Sequence, residues 1–134
     1  MNNPYQQYKQ TAVATASPEK LILMLYEGGL RFLKQADEAI EHNNLVEAGK
    51  AIGKTQEVVG ELISSLNPEA GEVSKNLQSL YTYINGRLIE ANLKKDRQIV
   101  KEILGMFQEF HATWSEIMKT GRSGQQTGGV NIEG

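Results

Sequence analysis

The chain has 134 residues, no cysteine, a formal net charge of −2 and a pI of about 5.7. That length favours a single domain able to build its own core. The composition excludes disulfides, thiolate nucleophiles and Cys-ligated metals, and it lacks the basic footprint of a nucleic-acid binder.

Prolines occur only at positions 4, 18 and 68, and the apolar spacing around them is helical, not alternating. A first helix is predicted to start at Ser17-Pro18, with Ser17 as cap, Pro18 at the first helical position and Glu19 in the first turn. It runs to about His42 on a stripe of Leu21, Leu25, Phe32, Ala36 and Ile40. Asn43-Asn44 forms a turn, and Asn44 with Glu47 resembles a capping box. The second helix follows a narrow seam of Leu45, Ala48, Ile52, Thr55, Val59, Leu62 and Leu66, spaced as in a bundle. Asn67-Pro68 ends it, because a residue before proline resists helical geometry.

The third helix is predicted to start between Glu69 and Val73 and to reach about Lys94, carrying Leu77, Leu80 or Tyr81, Ile84, Leu88 and Ala91. Asp96 is placed to cap a fourth helix bearing Val100, Leu104, Phe107, His111, Trp114 and Met118, with Lys119 in its last turn and Gly121 at its C-cap. Helices of this length with short connections make an all-α, antiparallel up-down-up-down four-helix bundle over residues 17–120. Residues 1–16 read as a mobile polar segment and 121–134 as a flexible, glycine-rich, disordered tail.

Two features exceed a plain bundle. The first helix is apolar nearly all round from Leu21 to Tyr26, and the fourth carries Ile99, Ile103, Met106, Phe110 and Ile117 beside its stripe. A surface helix needs an apolar stripe only about 100° wide. The surplus is either buried in the bundle and under the N-terminal segment, or forms a groove for an amphipathic partner. Glycines at 28, 29, 49, 53, 60, 86 and 105 also fall inside predicted helices, each costing about 1 kcal/mol against alanine in an exposed position. They mark close helix approach, tolerated surface drift, or shallow clefts for a partner.

Catalytic patterns are not found. Neither histidine has the Glu-x-x-His spacing of a di-iron bundle, and there is no phosphate-binding loop or nucleophile elbow. His111 reads as a packed, hydrogen-bonded side chain and His42 as a helix-terminal one. Asp37 and Glu41 read as members of a solvated face, and Lys94, Lys95, Arg97 and Lys101 as a solvated turn. The longest apolar run is six residues, against about 20 for a membrane span. The N-terminus lacks a signal-peptide pattern, and a cysteine-free chain fits the reducing cytosol. A cytoplasmic protein without cofactor, catalysis, nucleic-acid binding or membrane insertion is expected. Alternatives are a metal- or haem-carrying bundle enzyme and a structural homo-oligomeric bundle.

The run Thr15-Ala16-Ser17-Pro18-Glu19-Lys20-Leu21-Ile22-Leu23-Met24-Leu25-Tyr26-Glu27-Gly28 resembles the opening of the flagellar secretion chaperones, the FliS family. A second similar block holds Asn76-Leu77, Leu80-Tyr81, Tyr83, Arg87-Leu88, Glu90 to Lys94 and Asp96, and Asn3-Pro4-Tyr5 is also similar. The family often has Tyr-Arg-Arg where this chain reads Asn85-Gly86-Arg87, and a larger small residue where Gly29 stands. The resemblance implies a non-enzymatic antiparallel bundle, and the four capped, short-linked helical patterns lead to the expectation of a monomer or weak dimer. Such a protein binds the disordered C-terminal region of flagellin, prevents premature polymerisation and assists delivery to the type III export gate. With that reading, the apolar faces nominate Ile22, Leu23, Tyr83, Ile103, Phe107 and Phe110 as flagellin contacts. Tyr5 and Tyr8, three residues apart on a polar leash, are nominated as a lid over the first helix and, through the family tyrosine that Tyr5 resembles, as an export-gate contact.

Overall fold

A computed structural model describes residues 17–120. The expectations for Tyr5, Tyr8 and the Gly121 cap lie outside the described residues. Four helices follow in order: α1 Pro18–Glu41, α2 Leu45–Ser64, α3 Glu72–Lys94 and α4 Arg97–Thr120, with a 3-10 turn at Pro68–Ala70. No strand occurs among the described residues.

Local chemistry sets most boundaries. The Ser17 hydroxyl accepts from the Lys20 amide at 3.2 Å, and Pro18 follows as the first helical residue. The first connection turns on Asn43, at φ +60°, a conformation that asparagine tolerates better than most residues. The capping box at Asn44 does not form: its side chain makes no cap bond. The Asn44 amide to which Glu47 would reach back already donates to the Ala39 carbonyl at 2.7 Å, and Glu47 instead lies 3.8 Å from Lys50.

Helix α2 stops at Ser64, two residues before the expected end at Leu66, because the chain prepares for Pro68. Asn67 Oδ1 accepts from the Glu69 amide at 3.0 Å, and Gly71 adopts φ +69°, ψ −122°, which a side chain would strain. Asp96 caps α4 as expected, its Oδ1 accepting from Gln98 at 2.9 Å and Ile99 at 3.4 Å.

Side-chain pairs fix the direction of the helices. Arg97, at the start of α4, reaches Asp37 near the end of α1, whereas Trp114 near the end of α4 donates to the Glu19 carbonyl at the start of α1 (2.9 Å). Gln56 pairs with Asn85 and Asn92 with the Gly49 carbonyl, so α2 and α3 are antiparallel. Arg87 meets Glu102, and the Tyr81 ring meets Phe110, so α3 and α4 are antiparallel as well. Each helix therefore packs beside its chain neighbour and α4 closes back on α1, the up-down-up-down arrangement.

The core is drawn from all four helices. Leu33, Ile52, Val58, Val59, Leu62, Ile84, Leu88, Val100, Ile103 and Phe107 have essentially no exposed surface. Burying one such side chain is worth roughly 1.5–3 kcal/mol. The surplus apolar residues of α4 go largely here, since Ile99 is buried beside Ile103. Leu45, expected on the seam, is 43 % exposed because it sits at the first position of α2, beyond the reach of the other helices. Tyr81, rather than Leu80, takes the buried position on α3.

Gly29 is where close approach is real. A Cβ there would lie 2.2 Å from Phe107 Cε2, so the ring rests directly on the α1 backbone. The absent side chain thus tightens the α1–α4 contact. An added Cβ at Gly53, Gly60, Gly86 or Gly105 would meet nothing within 4 Å. Asp37 and Glu41 are not a bare solvated pair: both accept from Arg97, at 2.6 and 3.3 Å. The basic turn is likewise partnered, Lys94 by Glu90 and Lys95 by the Asn92 carbonyl.

Candidate functional site

Helix α3 carries four of the six large hydrophobic side chains exposed among the described residues: Val73, Tyr83, Ile89 and Leu93, the last 82 % exposed. The core stripe of this helix is already complete with Tyr81, Ile84, Leu88 and Ala91. Ile89 and Leu93, four apart, therefore point elsewhere. They line a cleft of about 420 Å³ with Gln56, Asn92 and Lys95, between α3 and α2.

The α2 wall of that cleft is low. Val46, Gly49, Gly53, Gln56 and Gly60 recur at steps of three and four, so they share one side of α2. Gly49 and Gln56 fix that side as the one toward α3, through Asn92 and Asn85. With Val46 exposed at one end, the result is a shallow channel whose floor is open backbone at Gly53 and Gly60, with Asn92 and Lys95 lying over Gly49 and Gln56 lining its middle. A second helix can approach such a floor closely.

The other edge of α3 is electrostatic. Tyr83 Oη donates to Glu102 Oε2 at 2.7 Å. Arg87 grips the other oxygen of Glu102 through Nε (3.0 Å) and Nη2 (2.8 Å), and Nη1 bonds Glu90 at 2.8 Å. Lys94 completes the chain on Glu90 at 3.0 Å. The Tyr83 hydroxyl and the Arg87 guanidinium hold the Glu102 carboxyl below the usual carboxylate range, and the same hydrogen bond pushes the Tyr83 phenol up.

The structure separates the nominated contacts. Ile103 and Phe107 are 0 % exposed, so they are core residues and no partner reaches them in this packing. The apolar breadth of α4 that suggested them is used against α1 and α3. Ile22, Leu23 and Phe110 are half-buried, and Phe110 stacks within 6.3 Å of the rings of Tyr26, Tyr81 and Phe107. Of the six nominated flagellin contacts, Tyr83 alone is classed as exposed. Ile89 and Leu93 went unnominated; the available signal was an aliphatic i,i+4 pair on a helix whose core stripe was already filled.

Inside the bundle, Tyr26 and Tyr81 share a buried hydrogen bond of 2.8 Å between their hydroxyls. Burial pushes the Tyr26 phenol well above its usual range and raises that of Tyr81 as well. His111 Nε2 lies 3.1 Å from Glu27 Oε2 and His42 Nδ1 2.9 Å from the Glu38 carbonyl, both structural partnerships. Among the described residues, no three His, Asp or Glu side chains gather to hold a metal, and no helix is long and apolar enough to cross a membrane. Among the described residues, the arrangement offers surfaces for a partner.

Comparison with known proteins agrees with that character. The family described as flagellar protein FliS matches residues 1–121. A flagellar secretion chaperone FliS of Bacillus subtilis is 34 % identical over 97 % of this chain and 98 % of its own. The flagellar secretion chaperone FliSB of Pseudomonas aeruginosa is 37 % identical over 84 % of this chain and 93 % of its own. A FliS of Salmonella typhimurium is 34 % identical over 81 % and 82 %. An all-helical bundle with an apolar outer channel, matched over nearly its whole length by these chaperones, belongs to the flagellar secretion chaperone FliS family.

Proposed function

We propose that this protein is a cytoplasmic, non-enzymatic chaperone of flagellin. It holds flagellin's disordered C-terminal region as helices, blocks premature polymerisation and assists delivery to the flagellar export gate. The observation that carries the reading is the exposed Ile89–Leu93 pair beside the glycine floor of α2. An amphipathic helix is the partner such a channel fits. Tyr83 extends the surface across α3, and Ile22, Leu23 and Phe110 contribute the edges they leave exposed. Tyr5 and Tyr8 are proposed to cover the apolar face of α1 when cargo is absent and to contact the gate once displaced. The free chaperone is a monomer or weak dimer.

Calorimetric titration with a peptide of the flagellin C-terminal region tests this. Burial of apolar surface predicts a negative heat-capacity change and little dependence on salt. Replacing both Ile89 and Leu93 by Asp should abolish binding while leaving the helical circular dichroism unchanged, since neither side chain is in the core. Unaltered affinity in that variant, or a steep salt dependence, refutes the docking surface. Deletion of residues 1–10 should preserve or tighten flagellin binding and weaken gate binding.

A further inference from the structure

Tyr83 is a half-exposed tyrosine whose hydroxyl water could satisfy, yet three further side chains are arranged around it. Glu102 comes from the neighbouring helix and accepts a hydrogen bond from the phenolic hydroxyl. Arg87, one turn along α3, clamps the other oxygen of Glu102 with two charge-assisted N–H groups. Glu90 occupies the remaining arm of Arg87. Exposed ion pairs of this kind add little to stability, and α3 and α4 are already joined by buried Tyr81, Ile84, Ile103 and Phe107. What the network does accomplish is to hold one aromatic ring in one orientation, with its polar end turned toward α4.

We infer that Glu102, locked by Arg87, is a positioning residue that presets Tyr83 as a rigid aromatic anchor for the flagellin helix. This rests on the docking reading above and names the part of that surface that selects its ligand. With the hydroxyl occupied by Glu102, the ring offers its apolar face, so the matching group on the cargo is an aliphatic side chain. Tyr83 and Ile89 are six residues apart, about 9 Å of helical rise and roughly a third of a turn around α3, so a cargo helix that engages both crosses α3 from one edge to the other. A side chain ordered before binding loses less freedom on binding, and tyrosine is among the residue types enriched at interface hot spots.

The test is a double-mutant cycle on flagellin-peptide affinity with wild type, Tyr83→Ala, Glu102→Ala, the double variant and Tyr83→Phe. Tyr83→Ala should weaken binding by about 10-fold or more. Glu102→Ala should weaken it by about 2- to 10-fold although Glu102 touches no cargo. Tyr83→Phe, which keeps the ring and removes its tether, should match Glu102→Ala. The double variant should be no weaker than Tyr83→Ala, because positioning has no value without the ring. Relaxation of the Tyr83 ring carbons in the free protein should show greater mobility in Glu102→Ala, a change that a merely stabilising ion pair would not produce. Additive losses, or Glu102→Ala and Tyr83→Phe both at wild-type affinity, overturn the inference while leaving the chaperone reading intact. Absence of binding by the wild-type protein overturns the chaperone reading itself.

Discussion

Replacing Gly29 by Ala sets two effects against each other. Alanine is the better helix former by about 1 kcal/mol, and Gly29 lies mid-helix. The new methyl would sit 2.2 Å from Phe107 Cε2 and 2.6 Å from Cδ2, against an ordinary carbon contact of about 3.5–4.0 Å. The ring must retreat by more than an ångström. It is fully buried and hemmed by Tyr26 and Phe110, with ring centres 5.9 and 5.8 Å away, so it has no free direction. Overpacking of this kind costs about 1–3 kcal/mol, and the locked ring places this case at the upper end. The net expectation is a loss of about 2 kcal/mol, or about 7 °C in melting temperature for a domain of this size. Gly105→Ala is the control: its Cβ meets nothing within 4 Å, so it should gain up to about 1 kcal/mol. Phe107→Leu combined with Gly29→Ala should cost less than the sum of the two single changes. Urea and thermal unfolding followed by circular dichroism compare the three single variants and the double variant with wild type. A Gly29→Ala protein as stable as wild type, or more so, would refute the reasoning.

Tyr26→Phe or Tyr81→Phe should each cost about 1–3 kcal/mol by stranding the other buried hydroxyl, and the double Phe variant should recover part of the loss in the same unfolding assay. Thr55→Val should be neutral or stabilising by up to about 1 kcal/mol, because the buried Thr55 hydroxyl bonds only the Ala51 carbonyl of its own helix, which already receives the backbone amide. Asp96→Ala should cost about 1 kcal/mol through loss of the α4 cap, measured by urea midpoint. Glu102 is held below the ordinary value of 4.5 by the Tyr83 hydroxyl and Arg87, and Glu90 by Lys94 and Arg87. Depressed folded values mean that this stabilisation is whole above pH 4.5 and drains as the pH falls through them. The melting temperature should therefore drop more steeply on acidification below pH 4.5 in wild type than in Glu102→Gln.

Features whose causes lie within one turn of chain were legible in the sequence by itself. Ser17-Pro18 and Asp96 start helices through bonds to amides two or three residues away, and Pro68 ends α2 by local sterics. The periodicity of Ala48, Ile52, Thr55, Val59 and Leu62 placed the core seam, since a helix shows one face at that spacing. The blocks at residues 15–28 and 76–96 carried the family. Features set by partners far along the chain were decided only by tertiary structure. The capping box at Asn44 lost to a backbone bond that the turn geometry imposes. Whether broad α4 turned Phe107 inward depended on Gly29, 78 positions earlier, leaving room for the ring. Asp37 and Glu41 became anchors because the fold brought Arg97 to them across more than 50 residues. The exposed surface fell on α3 because four helices wide enough to fill the interior left its second aliphatic pair outside. Local pattern says how much apolar surface a helix has, whereas packing decides which part of it another helix covers.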